Sequence, residues 1–379
     1  MKKVYLDYAS TTPIERSVAD EMMPFLRGSF GNPSSLHVFG QEALFALDKA
    51  RKKVAEFLGA RESEIIFTSS ATEANNIALL GSLQEKDHVI TSSIEHKAVL
   101  EPLNSSGAKV THLSLDREGI VKVEDVLSAI RDDTALVSLM YANSEIGTVQ
   151  PIKEVGAALK KINKNRKKKI IFHTDAVQAV NYLSCRVNDL NVDLLTISGH
   201  KIYGPKGVGA LYKREGVKVS PIFYGAKQEK GIRPGTENIA AIVGLKKALE
   251  ELDKNNKEET RKLRDRIIDT VLSEIPQTKL NGSKEKRLPN NVNISFKGVE
   301  GESLLIALDQ KGIAVSTGSA CASRSLLPSY VLLATGLSHE EAHGSLRITL
   351  GRMTTEKEVD YFLEQLPSIV EKLRKISGK

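Results

Sequence analysis

The sequence is poor in cysteine, with only two among 379 residues, and it holds no low-complexity tract. A disulfide framework needs several paired cysteines, so this scarcity argues against such a scaffold and for a reducing compartment. No window approaches the ~20 uninterrupted apolar residues of a membrane-spanning helix. The first residues include two lysines but neither an apolar segment nor a small-residue cleavage site, so we expect no signal peptide. These absences predict a cytoplasmic protein that does not associate with membranes.

The chain carries a formal net charge of +7, and its densest basic run spans residues 160–169. Such a run could form a nucleic-acid patch, but it is also typical of the solvated end of a helix, where lysines complement the helix dipole. No interleaved aromatic residue and no nucleic-acid motif accompanies the run. We therefore favour the solvated helix and expect no direct nucleic-acid partner.

Short apolar segments alternate with helical patterns between residues 64 and 212. Nearly continuous apolar strands spaced by helices are typical of a mainly parallel sheet that is covered on both faces. Seven segments have the length and the β-branched content of such strands, and they lie at residues 64–68, 88–91, 109–113, 135–140, 169–173, 194–197 and 208–212. We predict an α/β large domain over residues 14–255 that is built on this seven-stranded sheet.

The pattern changes after Pro276. Shorter strands at 291–296, 314–316 and 346–350 lie among helices, and a long amphipathic helix follows at 355–376. This arrangement predicts a smaller α+β domain, to which we assign residues 1–13 and 256–379.

Polar side chains gather where the predicted strands end. In open parallel sheets, ligands bind beyond the carboxyl ends of the strands, so residues at these positions are candidates for a site. Residues 69–76 follow the first strand with hydroxyls and backbone N–H groups at a helix N-terminus, which suits a phosphate as well as ordinary helix capping. His96, Asp175 and the stretch 198–201 (Ser-Gly-His-Lys) follow later strands. Each would more often be structural if met singly, but their alignment at one sheet edge predicts a common site.

Lys201 is the most informative of these residues. It lies at the end of a buried strand, where an ammonium group is costly to desolvate unless its pKa is lowered, as a Schiff-base lysine requires. A surface lysine just past the strand is the alternative. Pyridoxal phosphate needs a lysine, a carboxylate that keeps the pyridine nitrogen protonated, and donors for its phosphate. The aligned residues therefore predict an enzyme that uses this cofactor on an amino acid.

Two features of the predicted small domain concern the reaction. Residues 316–323 form a run of small residues around Cys321, which suits a mobile loop that brings in a nucleophile. Cys185, by contrast, lies in an apolar pattern typical of a buried structural thiol. Arg347 lies within a predicted β strand. It could be an edge residue that faces solvent, or its guanidinium could bind a substrate carboxylate through two hydrogen bonds.

Seven motifs along nearly the whole chain resemble those of the cysteine desulfurases, the class V, fold-type I pyridoxal-phosphate enzymes that supply sulfur for iron–sulfur clusters and thiolated tRNA. The last motif looks like the subgroup with an extended catalytic loop. The motifs are residues 5–8 (Tyr-Leu-Asp-Tyr), 30–34 (Phe-Gly-Asn-Pro-Ser), 70–73 (Ser-Ala-Thr-Glu), 94–100 (Ile-Glu-His-Lys-Ala-Val-Leu), 145–151 (Glu-Ile-Gly-Thr-Val-Gln-Pro), 198–207 (Ser-Gly-His-Lys-Ile-Tyr-Gly-Pro-Lys-Gly) and 316–321 (Ser-Thr-Gly-Ser-Ala-Cys).

This resemblance implies a role for each candidate residue. Lys201 would hold the cofactor, Asp175 would pair with its pyridine nitrogen, and Gln178 would bond its phenolic oxygen. His96 would stack on the ring and move protons, and Arg347 would bind the substrate carboxylate. The phosphate would be bound by Ala71, Thr72, Ser198 and His200, joined by Thr236 from the partner subunit of a homodimer.

The resemblance also implies the reaction. L-cysteine would become L-alanine, and Cys321 as a thiolate would take up the substrate sulfur as a persulfide. An iron–sulfur scaffold protein or another acceptor would then receive the sulfur. No resident metal is implied, although Cys321 could transiently ligate an iron–sulfur cluster.

The chain departs from the family pattern at four places near the predicted site. They motivate one alternative, a weakly active or non-catalytic desulfurase-like scaffold. A second alternative keeps the cofactor but changes the reaction, to that of a selenocysteine lyase or another class V transaminase, although a transaminase would have no use for Cys321. The departures are Ser144 where a second asparagine is usual, Ala226 and Lys227 among three common glycines, Pro234 in place of serine, and the altered pair Ala9 and Ser10.

Overall fold

The computed structural model describes residues 3–254, 256–318 and 327–378. The strands are β1 (Val4–Tyr5), β2 (Ile65–Thr68), β3 (His88–Ser92), β4 (Lys109–Leu113), β5 (Thr134–Ser138), β6 (Ile171–Asp175), β7 (Leu194–Ser198), β8 (Gly209–Lys213), β9 (Thr278–Leu280), β10 (Asn291–Phe296), β11 (Ile313–Ala314) and β12 (Ser345–Thr349). The α-helices are α1 (Arg16–Arg27), α2 (Val38–Leu58), α3 (Ala71–Leu80), α4 (Lys97–Ser105), α5 (Val123–Ser128), α6 (Ile152–Asn163), α7 (Val187–Leu190), α8 (Ile239–Glu250), α9 (Lys257–Glu274), α10 (Gly301–Asp309), α11 (Tyr330–Ala334), α12 (His339–His343) and α13 (Glu356–Ile376).

The central sheet has seven strands in the order β2-β8-β7-β6-β5-β3-β4. Neighbouring strands from β7 to β4 are parallel, whereas β8 runs antiparallel to both β7 and β2. Every residue of β2, β3, β5 and β7 is buried, as a sheet covered by helices on both faces requires. The predicted α/β architecture with a mainly parallel seven-stranded sheet is confirmed.

Side-chain caps determine where two helices begin at the edge of this sheet. Ser70 precedes α3, and its Oγ accepts a hydrogen bond from Glu73 N at 3.1 Å. His96 precedes α4, and its Nδ1 accepts from Ala98 N at 3.0 Å. Each bond satisfies an N–H group of a first helical turn, which has no partner inside its helix. Because each cap follows a central strand closely, the first turns of α3 and α4 lie near the carboxyl ends of β2 and β3.

A second group of strands lies outside the central sheet. β10 pairs antiparallel with β12 and β9, and β1 pairs in parallel with β11. The three-residue strand β9 is missing from the sequence prediction. Apolar residues of these strands share a separate core with α9, α10 and α13, and Val4 and Leu6 of the N-terminal arm pack in it. We retain the division near residue 255 as a proposal, which this separate core supports.

The basic run at 160–169 begins in the last turn of α6, at the kind of helix end that its composition predicts. Lys160 Nζ donates to Asn191 Oδ1 at 3.0 Å, and Arg166 donates to four backbone carbonyl groups nearby. These basic side chains therefore stabilise local structure. Within the described part of the chain, no helix combines the length and apolarity needed to span a membrane.

Candidate active site

A cavity of about 210 Å³ lies at the carboxyl edge of the central sheet. Its walls come from the ends of β2, β3, β6 and β7, together with β12 from the second group of strands. The cavity brings together nine of the residues predicted for the site, namely Ala71, Thr72, His96, Asp175, Gln178, Ser198, His200, Lys201 and Arg347.

The N-terminus of α3 forms one wall of the cavity. Ala71 and Thr72 occupy its first turn, where backbone N–H groups have no partner inside the helix and the helix dipole favours an anion. Gly209 of β8 lies against this turn, because a Cβ atom at position 209 would come within 2.7 Å of the Ser70 carbonyl carbon. A residue without a side chain is therefore required there. The wall can hold a phosphate group.

Asp175 provides the carboxylate of the cavity, at the end of β6 and with only 8% of its surface exposed. Its Oδ2 accepts a 2.7 Å hydrogen bond from Asn75 Nδ2, and its Oδ1 accepts from Val177 N at 3.0 Å. Asn75 lies four residues after Ala71 on α3, so the two residues share a face of the helix. The sequence reasoning placed Asn75 only in the stretch after the first strand and missed its contact with Asp175. The one signal for this contact in the sequence was the four-residue spacing between Ala71 and Asn75.

Burial favours the neutral form of both histidines in the cavity. Burial lowers the pKa of His96, with Asp175 opposing the shift and Lys201 reinforcing it. Because its Nδ1 accepts a hydrogen bond from Ala98 N, the neutral His96 ring carries its proton on Nε2. Burial likewise lowers the pKa of His200 to about 4, and Lys201 contributes. The cavity therefore presents an imidazole N–H donor beside the lysine.

The N-terminal arm forms a wall that the sequence reasoning did not assign in detail. Lys201 Nζ donates 2.6 Å hydrogen bonds to the carbonyl oxygens of Ala9 and Ser10. Gln178 Nε2 donates to the same Ala9 oxygen at 3.1 Å. Lys201 is therefore half-buried in the cavity, and the alternative of a surface lysine does not hold.

Arg347 is one of the most deeply buried side chains, with 1% of its surface exposed. Its Nη2 donates at 2.8 Å to both Asp7 Oδ1 and Ser10 Oγ, and its Nη1 donates to Ser144 O at 3.3 Å. The alternative in which Arg347 faces solvent from a sheet edge is therefore wrong. A buried guanidinium in the cavity wall suits a carboxylate ligand.

Thr236 and Cys321 are the remaining two predicted residues. Thr236 lines a separate pocket beside Ser69. Cys321 lies outside the described residues. The segment that leads to it starts at Ser316, whose backbone N–H and C=O groups pair with those of Arg347 at 3.1 and 2.6 Å. Cys321 thus follows, five residues later, a position that is fixed beside the cavity.

Cys185 is the structural thiol that its apolar sequence context predicts. It is 2% exposed and belongs to the main hydrophobic core, next to Val187 and Leu190. Burial raises the pKa of its thiol to about 12. Because the thiolate is the reactive form of cysteine, burial and the raised pKa both disfavour reaction at Cys185.

The polar groups of the cavity fit pyridoxal phosphate. Lys201 can attach it, Asp175 can pair with its pyridine nitrogen, and the first turn of α3 can hold its phosphate. Two buried polar atoms of the wall, Asn75 Oδ1 and Arg347 Nε, have no hydrogen-bond partner among the described residues. Buried polar atoms without partners cost free energy, so such atoms are typical of a site built for a ligand.

Known sequences are similar to this chain over almost its whole length. Residues 4–362 match the class V aminotransferase family. The chain is 51% identical over 388 residues to the cysteine desulfurase IscS of Clostridium botulinum (strain Hall), an alignment that covers 99% of this chain and 96% of the relative. It is 50% identical over 387 residues to the cysteine desulfurase IscS of Methanosarcina thermophila, with 99% and 94% of the two chains covered.

Solved structures are similar to this chain in fold, again over almost its whole length. A NifS-like protein matches with a TM-score of 0.89 at 38% identity, covering 98% of this chain and 100% of that chain. A structure described as SspA in complex with cysteine matches with a TM-score of 0.82 at 38% identity, covering 93% of this chain and 100% of that chain. Both likenesses include the central sheet and the second group of strands, since they extend over nearly all of the chain.

Proposed function

The chain belongs to the class V aminotransferase family, among the cysteine desulfurases, and we propose that it converts L-cysteine to L-alanine while Cys321 takes up the sulfur. Its cofactor is pyridoxal 5′-phosphate. The observation that carries the proposal is the single cavity that collects Lys201, Asp175, His96 and Arg347. An amine, a carboxylate, a neutral imidazole and a buried guanidinium are the groups that this cofactor and an α-amino acid need together.

The residues of the cavity hold and orient the cofactor, which when bound supplies an electron sink for bond breaking at the amino-acid Cα. Lys201 attaches it, Asp175 pairs with the pyridine nitrogen, and Gln178 bonds the phenolic oxygen. Arg347 binds the substrate carboxylate. The phosphate is held by Ala71, Thr72, Ser198 and His200, with Thr236 of the partner subunit.

Two side chains divide the proton transfers between them. His96 carries a proton on Nε2, since its Nδ1 already accepts the Ala98 N–H, so this ring donates. The Lys201 amine would be the group that accepts a proton. The carbonyl oxygens of Ala9 and Ser10 lie within hydrogen-bond distance of its Nζ and would accept from the resulting ammonium group.

Cys321 receives the sulfur as a thiolate, the nucleophilic form of the side chain. An S–S bond forms as the substrate Cβ–S bond breaks, the electron pair of the broken bond stays with carbon, and protonation releases alanine. The backbone pairing of Ser316 with Arg347 supports this assignment, because the segment that carries Cys321 starts beside the carboxylate-binding residue. Cys185 cannot substitute, since it is buried and its thiol pKa is raised.

A homodimer completes the proposal. Phe30 and Phe39 stack with their ring centres 5.6 Å apart, although 73% and 48% of their surfaces are exposed. Leu36, close to them in sequence, is 93% exposed. Exposed apolar clusters of this kind are typical of subunit interfaces. The position of Thr236 outside its own chain's cavity supports a role in the site of the partner subunit.

We further propose a cytoplasmic enzyme that passes sulfur to an iron–sulfur scaffold protein or another acceptor. The low cysteine content and the unpaired, buried Cys185 support a reducing compartment. A persulfide must be discharged before the next turnover, so an acceptor nucleophile is a chemical requirement of the cycle.

The activity is tested by incubating the holoenzyme with L-cysteine and a thiol reductant and measuring alanine and sulfide. We expect equal molar amounts of both products from the wild type and neither from Lys201→Ala. Lys206→Ala, which changes an exposed lysine nearby, is the matched control and should retain the activity. Pyruvate in place of alanine, or alanine without sulfide, would contradict the proposed reaction.

A further inference from the structure

The turn formed by residues 7–10 contacts both the cofactor-binding lysine and the carboxylate-binding arginine. Ser10 N donates to Asp7 O at 3.0 Å and closes the turn. Its backbone carbonyls at Ala9 and Ser10 accept from Lys201, while its side chains at Asp7 and Ser10 accept from Arg347. The 7–10 turn therefore contacts both the residue proposed to attach the cofactor and the residue proposed to bind the substrate carboxylate.

Arg347 needs a counter-charge, and Asp7 supplies it. A buried guanidinium without a partner is strongly destabilising, and Arg347 is 1% exposed. Asp7 forms the one ion pair recorded for it among the described residues, with 2.8 Å between Nη2 and Oδ1. Ser10 Oγ accepts from the same nitrogen, so Nη2 is held by two acceptors while Nε has none in the described part of the chain.

The 7–10 turn is itself held in place. Tyr5 Oη donates at 3.0 Å to the carbonyl oxygens of Asp7 and Thr11, one on each side of the turn. Ala9 N donates to Thr349 Oγ1 at 2.9 Å, and Thr349 lies two residues after Arg347 on β12. An acceptor anchored in this way can hold a long, flexible side chain in one orientation.

We propose that Asp7 is a positioning residue, which, together with Ser10, aims the Arg347 guanidinium at the substrate carboxylate and so sets the affinity for amino acids. This inference rests on the proposed function for the identity of the ligand. Asp7 acts through Arg347 and does not touch the substrate. Ser10 could also bond the substrate carboxylate itself. Its hydroxyl oxygen accepts a hydrogen bond from Arg347, and its hydroxyl proton is still available to donate.

The test compares two ligands of the holoenzyme that differ in the carboxylate. L-alanine carries it and ethylamine, which is otherwise the same molecule, lacks it, and binding of each is followed by the change in cofactor absorbance. Asp7→Ala should raise the half-saturating concentration of L-alanine about tenfold and leave that of ethylamine unchanged, because a hydrogen bond to a charged group is lost. The KM for L-cysteine should rise by a similar factor, with kcat changed less.

Two further variants separate positioning from general damage. Asp7→Asn keeps an oxygen acceptor for Nη2 and should restore most of the L-alanine affinity. Ser10→Ala removes one acceptor and should raise the L-alanine half-saturation about threefold, which tests the idea even if Asp7→Ala does not fold. Unchanged L-alanine binding in Asp7→Ala and Ser10→Ala, or an equal loss for both ligands, would overturn the inference. Because binding needs no turnover, a wild type that binds L-alanine but releases no sulfide would refute the proposed function alone.

Discussion

Asn75 Nδ2 donates a 2.7 Å hydrogen bond to Oδ2 of Asp175, and both side chains are buried. A buried carboxylate is costly unless hydrogen bonds satisfy it, and Val177 N supplies the second donor. Helix α3 therefore performs two tasks. Its first turn can bind the phosphate, and one turn later it orients the Asp175 carboxylate, which we propose pairs with the pyridine nitrogen.

We expect Asn75→Ala to weaken binding of pyridoxal phosphate about tenfold, because Asp175 loses a donor and a small cavity opens beside it. The measurement is a fluorescence titration of the apoenzyme with the cofactor. Asn76→Ala is the matched control, since among the described residues the Asn76 side chain donates only to the carbonyl of Thr72 on its own helix. Equal affinities of the wild type and Asn75→Ala would show that the Asn75 contact is dispensable.

Buried His173 should make the protein less stable in mild acid. Its ring bonds Ser138 Oγ and Thr196 Oγ1, and burial lowers its pKa from the ordinary value of 6.5 to about 3. Below pH 6.5 the unfolded chain binds a proton that the folded chain does not, so stability falls as the pH drops from 6.5 towards 3. Between pH 7 and pH 5 this one group should cost about 2 kcal/mol in the free energy of unfolding.

Urea denaturation at the two pH values measures this effect. His173→Asn lowers the stability at both but should reduce the difference between them by about 2 kcal/mol, because the titrating group is gone. The exposed His339 provides the control variant His339→Asn, which should keep the wild-type difference. If His173→Asn retains the full difference, His173 is not the source of the acid sensitivity.

The ion pair between Arg51 and Glu229 should contribute strongly to stability. Both guanidinium nitrogens contact the carboxylate, at 2.9 and 2.6 Å, and only 1% of the Glu229 side chain is exposed. Glu229 also accepts from Phe67 N of β2 at 2.8 Å, so the pair connects α2, β2 and the segment before Thr236. Arg51→Met leaves this carboxylate buried without its counter-charge and should lower the free energy of unfolding by about 3 kcal/mol.

A second substitution, at Glu229, shows whether the unpaired carboxylate causes the loss of stability in Arg51→Met. Adding Glu229→Gln to Arg51→Met removes the unpaired charge and should recover part of the loss, in a double-mutant cycle measured by urea denaturation. The exposed pair Lys375 and Glu371 is the control, and Lys375→Met should have no measurable effect. A loss in Arg51→Met no larger than in Lys375→Met would contradict this role.

Much of the fold and the centre of the site follow from local sequence pattern. Continuous apolar segments predicted all seven central strands, and the rule that ligands bind beyond the carboxyl ends of parallel strands placed His96, Asp175 and Lys201 together. The antiparallel direction of β8 was also accessible, since only residues 199–208 separate it from β7 and a parallel return needs a longer crossover.

The contacts of the N-terminal arm could not be predicted in this way. Asp7 and Arg347 are separated by 340 residues, and neither periodicity nor strand order relates positions that far apart. A charged residue inside a β strand, such as Arg347, can be exposed to solvent or buried beside a partner, and the local sequence is compatible with both. Only the tertiary structure reveals the partner. Asn75 was missed for a different reason. It lies in a Ser/Thr-rich stretch at the start of a helix, and ordinary helix capping already accounted for the polar residues there.

The most direct test of the account is the mass of each cysteine-containing peptide after the holoenzyme has reacted with L-cysteine in the absence of reductant. We predict one added sulfur atom on Cys321 in the wild type and in the control Cys185→Ala, and in Cys321→Ala neither a persulfide nor release of alanine. Alanine and sulfide formed by Cys321→Ala at the wild-type rate would contradict the assignment of Cys321 as the sulfur acceptor.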